Sequence, residues 1–275
     1  MLTLEGVSYR YAGALRPSLI DVSLELHDGE VLGVVGADEA GKSTLCLVAS
    51  GLAPRTIGGT LAGRLLIDGA DVAGRQMHDL ATEVAIGFQN PATQLSGVAA
   101  TVYEEVAFGP MNLGIPRDAV LGRTEAALDA MSIRTLAERA PERLSGGQQQ
   151  LVAIAGLLAM SPRHLVLDEP TALLDPAGTR LVSEAIRRLA AGGASILIVE
   201  QKVDLLAGVC RRVIALEGGR VALDGATQAV LGDPSLRALG VAEPSDVRLR
   251  RLAAEAGVPG GRVDELVALG ESIDA

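Results

Sequence analysis

Residues 31–44 read VLGVVGADEAGKST, and this stretch decides the fold. The apolar run of residues 31–35 is typical of a strand buried on both faces of a parallel sheet. The pattern Gly-x-x-x-x-Gly-Lys-Ser-Thr follows at once, and the residues from Ser43 to Gly51 predict a helix that ends at a glycine. A buried strand, a glycine-bounded turn and a helix N-terminus in this order predict a phosphate-binding loop.

The residue types in this loop suit a nucleoside triphosphate with Mg²⁺. Gly36 and Gly41 allow backbone angles that a side chain would hinder, so the loop N–H groups can turn toward an anion. Lys42 can reach the β- and γ-phosphates, and the Ser43 hydroxyl can ligate Mg²⁺. The predicted nucleotide-binding residues of the loop are Gly36, Ala37, Asp38, Glu39, Ala40, Gly41, Lys42, Ser43 and Thr44.

Two acidic residues, Asp38 and Glu39, lie in the middle of the loop. The main anion-binding groups in such a loop are N–H donors, the lysine and the metal, and the side chains at these positions mostly point away from the phosphates. Repulsion between two charges about 8 Å apart, at an effective dielectric of about 20, costs about 2 kcal/mol before screening. We therefore expect the two acids to weaken nucleotide binding without preventing it.

Two further elements support nucleotide chemistry. Residues 164–169 read HLVLDE, and an apolar strand ending in Asp168 places a carboxylate near the Mg²⁺ of a phosphate-loop fold. Glu169 can then polarise an attacking water. Residues 144–148 read LSGGQ, which predicts an anion site at the start of a helix, with an ordinary serine N-cap as the alternative.

Composition limits the partners and the location of the chain. The 275 residues suit one α/β domain with an added lobe, and the formal net charge of −10 disfavours nucleic acid. The N-terminus lacks the pattern of a signal peptide. The sequence contains no uncharged apolar run of about 18 residues, so we expect no membrane span. We expect Cys46 and Cys210 to be buried apolar residues in a reducing cytosol.

Patterns along the chain predict its organisation. Alternating apolar residues near positions 2–7 and 22–26 predict short antiparallel strands, and residues 64–69 a second hairpin-like unit. Helical stretches separated by prolines predict a helical lobe inserted at about residues 90–160, with a helical tail at 226–275. The prolines are Pro91, Pro110, Pro116 and Pro141, the helices of the lobe include 119–131 and 147–160, and the tail is broken at Pro244 and 258–261. The α/β body resumes with a strand at 165–168, a helix at 176–191, a strand at 195–199 and a hairpin of 212–216 with 220–223.

Together, the loop, the LSGGQ segment and the HLVLDE segment resemble the nucleotide-binding subunits of ATP-binding-cassette (ABC) proteins over residues 1 to about 225. The resemblance implies a P-loop NTPase fold of the α/β class, with a RecA-like core, an N-terminal antiparallel β-subdomain and an inserted helical subdomain. It also implies two subunits, homo- or heterodimeric, with two ATP molecules between them. The resemblance implies that Tyr11 stacks on adenine, with Tyr9 as the weaker alternative, and that Glu169 orients the attacking water. It implies that Ser43, Gln89 and Asp168 lie at Mg²⁺. It also implies contacts across the dimer: Asp175 lies at the dimer interface, and the residues at the partner's ATP are Ser145, Gly146, Gly147 and Gln148.

One position departs from that family. Where the family carries a switch histidine after the strand at 195–199, this chain has Gln201. A glutamine amide can donate to a γ-phosphate oxygen but cannot carry a proton or a positive charge. Two interpretations stay open: the site turns over slowly, as in the degenerate member of a heterodimer, or Gln201 substitutes adequately.

The segment QNPATQL at 89–95 and the residues after it (101–110 and 112–114) resemble the ATPases of energy-coupling-factor (ECF) importers and of their cobalt and nickel relatives. The alternative is a polar loop ahead of an amphipathic helix. The resemblance implies a membrane coupling subunit, a membrane substrate-binding subunit, and a peripheral location on the cytoplasmic face of the membrane. The implied substrate is a vitamin, a vitamin precursor or a metal ion, and the rival functions are a soluble ABC ATPase and a regulatory ATP-binding subunit.

Overall fold

The computed structural model describes residues 1–257 and 264 of the chain. The strands are β1 (Leu2–Arg10), β2 (Leu19–Leu26), β3 (Val31–Gly36), β4 (Thr60–Ile67), β5 (Ala70–Asp71), β6 (Val84–Gly87), β7 (His164–Asp168), β8 (Ser195–Val199), β9 (Arg212–Glu217) and β10 (Arg220–Ala226). The helices are α1 (Lys42–Ala49), α2 (Leu52–Arg55), α3 (Met77–Leu80), α4 (Val102–Asn112), α5 (Arg117–Ala130), α6 (Gly146–Met160), α7 (Pro176–Ala191), α8 (Val203–Val209), α9 (Thr227–Leu231) and α10 (Ser245–Glu255).

The N-terminal part of the chain forms an antiparallel sheet of four strands in the order β2-β1-β4-β5. Leu2 pairs with Leu26 and Leu4 pairs with Leu24, so the alternating apolar residues lie together on the buried face. The predicted antiparallel pairing of the first two strands is therefore confirmed, as is the hairpin between β4 and β5.

A second sheet of six strands, in the order β10-β9-β3-β8-β7-β6, carries the phosphate loop. Strand β3 lies parallel to both β8 and β9, and β7 lies parallel to β8 and β6. Because neighbouring parallel strands end at the same edge, the segments that follow β3, β6, β7 and β8 converge there. The hairpin predicted across residues 218–219 is confirmed as the antiparallel pair β9–β10.

The six-stranded sheet separates two apolar cores. Along β3, Val31 and Val35 pack into one core, whereas Leu32 and Val34 pack into the other. This alternation follows from the period-two geometry of a strand and explains why residues 31–35 are apolar throughout. Cys46 and Cys210 are buried free thiols, as predicted, and burial raises the pKa of Cys210 to about 12.

The helical segment between β6 and β7 contains α4, α5 and α6, which pack on one another. The predicted helices at 119–131 and 147–160 are confirmed as α5 and α6. The prediction that Pro110 separates two helices is wrong, because Pro110 lies inside α4. Since α4 ends at Asn112, a proline in its last turn removes a single helical hydrogen bond.

After β10 the described residues form α9, a short 3₁₀ helix and α10, and Pro244 immediately precedes α10. The predicted break at 258–261 lies outside the described residues, and the division of the chain at residue 225 stays a prediction. None of the helices described in residues 1–257 and 264 is both long and apolar enough to span a bilayer.

Candidate functional site

The phosphate loop joins the end of β3 to the start of α1, and two glycines fix its path. Gly36 has a φ of 157° and Gly41 a φ of 103°. A Cβ atom on Gly36 would lie 2.6 Å from the Leu216 carbonyl oxygen, and one on Gly41 would lie 2.6 Å from the Ser18 carbonyl oxygen. Both contacts are shorter than carbon and oxygen allow, so the backbone approach requires glycine at these positions. The side chains of Asp38 and Glu39 between them are exposed.

Lys42 is buried against this loop. Its ammonium donates to the carbonyl oxygens of Gly36, at 2.9 Å, and Ala37, at 2.7 Å. The side chain therefore lies across the concave side of the turn, at the N-terminus of α1. A fixed positive charge beside a helix N-terminus is the arrangement that binds a phosphate group.

Asp168, the last residue of β7, is buried with its Oδ1 atom lacking a hydrogen-bond partner among the described residues. Burial raises the pKa of this carboxyl group, while the Ser43 hydroxyl and Lys42 act in the opposite direction. A buried carboxylate oxygen without a partner is costly unless a cation or donor satisfies it. The Asp168 carboxylate and the Ser43 hydroxyl are hard oxygen ligands, so this donor set fits Mg²⁺.

Glu169 lies one residue further on, between two glutamines. Gln89 Nε2 donates to Glu169 Oε2 and Gln201 Nε2 donates to Glu169 Oε1, both at 2.9 Å. The backbone of Glu169 has a φ of 47°, in the left-handed region, and its N–H donates to the Val199 carbonyl at 2.9 Å. Strained backbone of this kind concentrates at functional sites, and here it directs a carboxylate to the sheet edge that carries the loop.

The two candidate tyrosines have different surroundings. Tyr9 is fully buried, and its hydroxyl donates to the Gly58 carbonyl, so its ring has no free face for a base. Tyr11 is half-buried, and its hydroxyl lies 3.1 Å from Thr44 Oγ1 in α1. The rings meet edge to face with centroids 4.9 Å apart. Tyr11 is thus the tyrosine at the phosphate loop, and its stacking on adenine stays a prediction.

The LSGGQ segment forms a capped helix start. Gln148 N–H donates to Ser145 Oγ at 3.3 Å, and Ser145 N–H donates to Gln148 Oε1 at 3.1 Å. These reciprocal bonds form a capping box, so Ser145 is a structural N-cap, and the anion site predicted at the same helix start stays a prediction. The cap leaves the N–H groups of Gly146 and Gly147 in the first turn, where a helix offers donors to an anion.

Asp175 also caps a helix. Its Oδ1 accepts from the Gly178 N–H at 2.7 Å, and Pro176 begins α7. Leu173 and Leu174, which precede Asp175, lie against the LSGGQ helix, since a Cβ atom on Gly147 would lie 3.1 Å from the Leu173 carbonyl oxygen. The contacts predicted for Ser145 to Gln148 and for Asp175 across a dimer stay predictions.

Sequence reasoning missed two residues beside Gln201. Glu200 is buried and accepts from Thr171 Oγ1 at 2.8 Å. Lys202 Nζ donates to the carbonyl oxygens of Thr171 and Leu174. The sequence contains a signal for Lys202, because lysine is rare in this chain. Among 24 Lys and Arg residues, the two lysines are Lys42 and Lys202.

The family model described as "ABC transporter" matches residues 19–172, which include the phosphate loop, the LSGGQ segment, Asp168 and Glu169. The chain belongs to the ABC transporter family. The fold class predicted from the sequence is thereby confirmed: a P-loop NTPase of mixed α/β structure with an antiparallel N-terminal sheet.

Two relatives and one solved structure show which members of the ABC transporter family this chain is similar to. The chain is 40% identical over 281 residues to the energy-coupling factor transporter ATP-binding protein EcfA1 of Symbiobacterium thermophilum, covering 97% of this chain and 95% of that one. It is 39% identical to the cobalt import ATP-binding protein CbiO of Rhodobacter capsulatus, covering 89% and 85%. The structure of cbiO1 from Clostridium perfringens superimposes with a TM-score of 0.75 at 31% identity, covering 94% and 98%.

Other relatives are longer than this chain. It spans 43% and 41% of the length of two putative ABC transporter ATP-binding proteins from Methanosarcina mazei and Methanosarcina acetivorans, although each match covers at least 90% of the chain itself.

Proposed function

We propose that the chain binds and hydrolyses Mg-ATP as the ATPase subunit of a membrane importer of the ECF and cobalt type. The observation that carries the proposal is Glu169, held by Gln89 and Gln201 at 2.9 Å each, at the sheet edge where the phosphate loop begins. A carboxylate fixed by two amides beside a phosphate site is positioned to orient water toward the γ-phosphate.

The residues divide the chemistry among them. Lys42 and the N–H groups of the loop bind the phosphates, and Ser43, Asp168 and Gln89 would hold Mg²⁺. Mg²⁺ supplies charge neutralisation on the transferred phosphoryl group. Glu169 accepts a hydrogen bond from the attacking water, and Gln201 holds the carboxylate that does so. Positioning of the reactants and electrostatic stabilisation of the transferred group together supply almost all of the catalysis in this kind of transfer.

The second part of the proposal is a dimer. Ser145, Gly146, Gly147 and Gln148 lie at a helix start where Ser145 and Gly146 are exposed, and this is the element that would bind the ATP held by a second ATPase subunit. Gln201 favours a heterodimer in which this chain is the slower member, because its amide cannot accept and release a proton. ATP-driven closure of the two subunits would move the helical subdomain.

An apolar groove supports docking on a membrane partner. It has a volume of about 400 Å³ and lies between α4, α6 and the segment after β6. Phe108 and Leu95 line it, and Phe108 is 40% exposed. Gln94 links the segment to α6, because it accepts from the Phe88 N–H at 3.1 Å and donates to the Ala153 carbonyl at 3.4 Å. The occupant that we propose for this groove is an apolar helix of a coupling subunit.

The substrate proposed is a vitamin, a vitamin precursor or a transition-metal ion, which a separate membrane subunit would bind. The name of one relative, a cobalt import ATP-binding protein, supports a metal ion, and the name of another, an energy-coupling factor transporter ATP-binding protein, supports the importer type. A peripheral position on the cytoplasmic face of the membrane follows from the docking proposal.

The test is Mg-ATP hydrolysis by the purified chain and its Glu169→Gln variant at millimolar ATP. We expect turnover in the wild type, a loss of at least about 100-fold in the variant, and unchanged ATP binding. Glu138→Gln, which changes an exposed glutamate of the helical subdomain, is the matched control and should retain activity.

Equal turnover in wild type and Glu169→Gln would contradict the role of Glu169, and absence of ATP binding would contradict the function. A wild type that binds ATP but does not hydrolyse it would favour the second candidate, a regulatory ATP-binding subunit, which Gln201 supports.

A further inference from the structure

Lys202 makes three hydrogen bonds to one segment of the chain. Its ammonium donates to the carbonyl oxygens of Thr171, at 2.8 Å, and Leu174, at 3.1 Å, and to Thr179 Oγ1 at 3.2 Å. An ammonium group has three N–H donors, so all of them are used. The acceptors span the loop between β7 and α7, residues 169–175, and the first turn of α7.

The choice of lysine at this position is informative. Among the 24 Lys and Arg residues of the chain, the only other lysine is Lys42, which binds loop carbonyls in the same way, and the rest are arginines. A compact ammonium can direct its donors at three acceptors around one point, whereas the planar guanidinium directs them in a fork. The position therefore suits a lysine for geometric reasons that extend beyond charge.

Glu200 attaches the same loop at its start. Its carboxylate is buried and accepts from Thr171 Oγ1 at 2.8 Å and from the N–H of Gln201 at 3.0 Å. The turn that presents Gln201 to Glu169 is thus bonded to the β7–α7 loop by its two flanking side chains, Glu200 and Lys202.

The opposite side of the loop lies against the LSGGQ helix. A Cβ atom on Gly147 would lie 3.1 Å from the Leu173 carbonyl oxygen, and one on Gly146 would lie 3.6 Å from Leu173 Cδ1. A continuous set of contacts therefore leads from Glu169 and Gln201, through Lys202 and the β7–α7 loop, to the start of α6.

We propose that Lys202 is a positioning residue that holds the β7–α7 loop against the start of α6. It thereby links the catalytic Glu169 of this chain to the LSGGQ segment that serves the ATP of the second subunit. The inference rests on the proposed function. Without the ammonium, two carbonyl groups lose their donor and the loop can shift from both Gln201 and Gly147, while the phosphate loop keeps its own contacts.

The first experiment compares wild type, Lys202→Met and the control Arg211→Met, which removes an exposed positive charge nearby in the sequence. We expect Lys202→Met to lower kcat by about three- to thirtyfold, the range found for coupling residues. The Kd for Mg-ATP should change by less than about threefold. ATP-driven dimerisation should weaken when Lys202→Met is added to Glu169→Gln.

A chemical rescue separates the ammonium from general structural effects. The Lys202→Cys variant is treated with 2-bromoethylamine, whose carbon bonds to the cysteine sulfur as bromide leaves, restoring an ammonium at nearly the length of lysine. Cys46 and Cys210 are buried, with thiol pKa values raised by burial, so they resist alkylation. We expect aminoethylation to restore kcat, and alkylation with neutral iodoacetamide to leave it low.

The outcomes are distinguishable. A wild type that shows neither Glu169-dependent turnover nor ATP-driven dimerisation contradicts the proposed function. An active wild type with unchanged kcat in Lys202→Met contradicts the inference alone. Equal activity after aminoethylation and after iodoacetamide treatment contradicts it as well, even if the unmodified cysteine variant is unstable.

Discussion

At the residue scale, the activity proposed for this chain depends on how Glu169 is held. Its carboxylate accepts from Gln89, 80 positions earlier in the chain, and from Gln201, 32 positions later. The ABC proteins that this chain resembles carry a histidine at the position of Gln201. The structure gives Gln201 an orienting contact to Glu169, and the proton-carrying capacity of an imidazole is the property that it lacks.

Replacing Gln201 by histidine tests whether that property limits turnover. We expect Gln201→His to raise the kcat of the purified chain by about tenfold, because an imidazole adds a group that titrates near neutral pH. The measurement is steady-state phosphate release at saturating Mg-ATP.

Gln201→Ala serves as the control, since it removes the contact to Glu169 without supplying a titratable group, and its kcat should fall below that of the wild type. If Gln201→His is no faster than the wild type, then the glutamine is an adequate substitute and something else sets the rate.

At the element scale, the start of α6 has two roles in the same residues. Ser145 and Gln148 form the capping box that begins the helix, and the first-turn N–H groups form the predicted site for the partner's ATP. Local stability and nucleotide recognition are therefore coupled at this helix end, and a substitution must be chosen to separate them.

Two substitutions of Ser145 make that separation. Ser145→Ala removes the cap acceptor and should lower the free energy of unfolding by about 1 kcal/mol. Ser145→Asp keeps an N-cap acceptor and should preserve stability, but it places a negative charge where the γ-phosphate of the second subunit's ATP would lie. We expect both variants to lose ATP-driven dimerisation, measured in the Glu169→Gln background by gel filtration, with urea unfolding to report stability.

A Ser145→Asp variant that dimerises as well as its parent would contradict the assignment of this helix start to ATP, while leaving the structural cap unaffected.

At the scale of the whole molecule, the C-terminal part of the chain contacts the phosphate loop. Gly240 follows α9 and the short 3₁₀ helix, and a Cβ atom on it would lie 3.0 Å from Ala37 Cβ. Further along, Ser245 donates to the Asp204 carboxylate from its N–H, at 2.7 Å, and from its hydroxyl, at 2.6 Å. The tail thus packs both on the nucleotide site and on α8, which follows Gln201.

Substituting Gly240 tests this contact, and Gly257 is a matched control. The φ of Gly240 is +74° and that of Gly257 is +70°, so alanine costs similar backbone strain at both, about 1 kcal/mol. Only at Gly240 does the added methyl group meet the loop, whereas a Cβ atom on Gly257 would have no described atom within 4 Å apart from those of its chain neighbours.

We expect Gly240→Ala to raise the Kd for Mg-ATP about three- to tenfold, because overpacking displaces Ala37, and Gly257→Ala to leave the Kd unchanged. The measurement is titration with a fluorescent ATP analogue. Equal ATP affinity in the two variants would show that the tail does not position the loop.

The sequence by itself determined the features that are contiguous along the chain. The phosphate loop, the buried strand before it and the helix after it follow from residues 31–51, because turn glycines and apolar periodicity act over a few residues. For the same reason the helix at 176–191 was predicted with the bounds that it has. Pro110 was misjudged because a proline in the last turn of a helix is tolerated when the helix ends soon afterwards.

Only the tertiary structure decided which distant residues meet. The burial of Tyr9 separates it from Tyr11, two residues of one strand and its following turn that a sequence pattern treats alike. The contacts of Glu169 with two glutamines, of Lys202 with the β7–α7 loop, and of Gly240 with Ala37 join positions far apart in the chain. Such contacts depend on which strand ends become neighbours in the sheet and on how the segments after them pack. A local sequence pattern does not encode which of these distant residues meet.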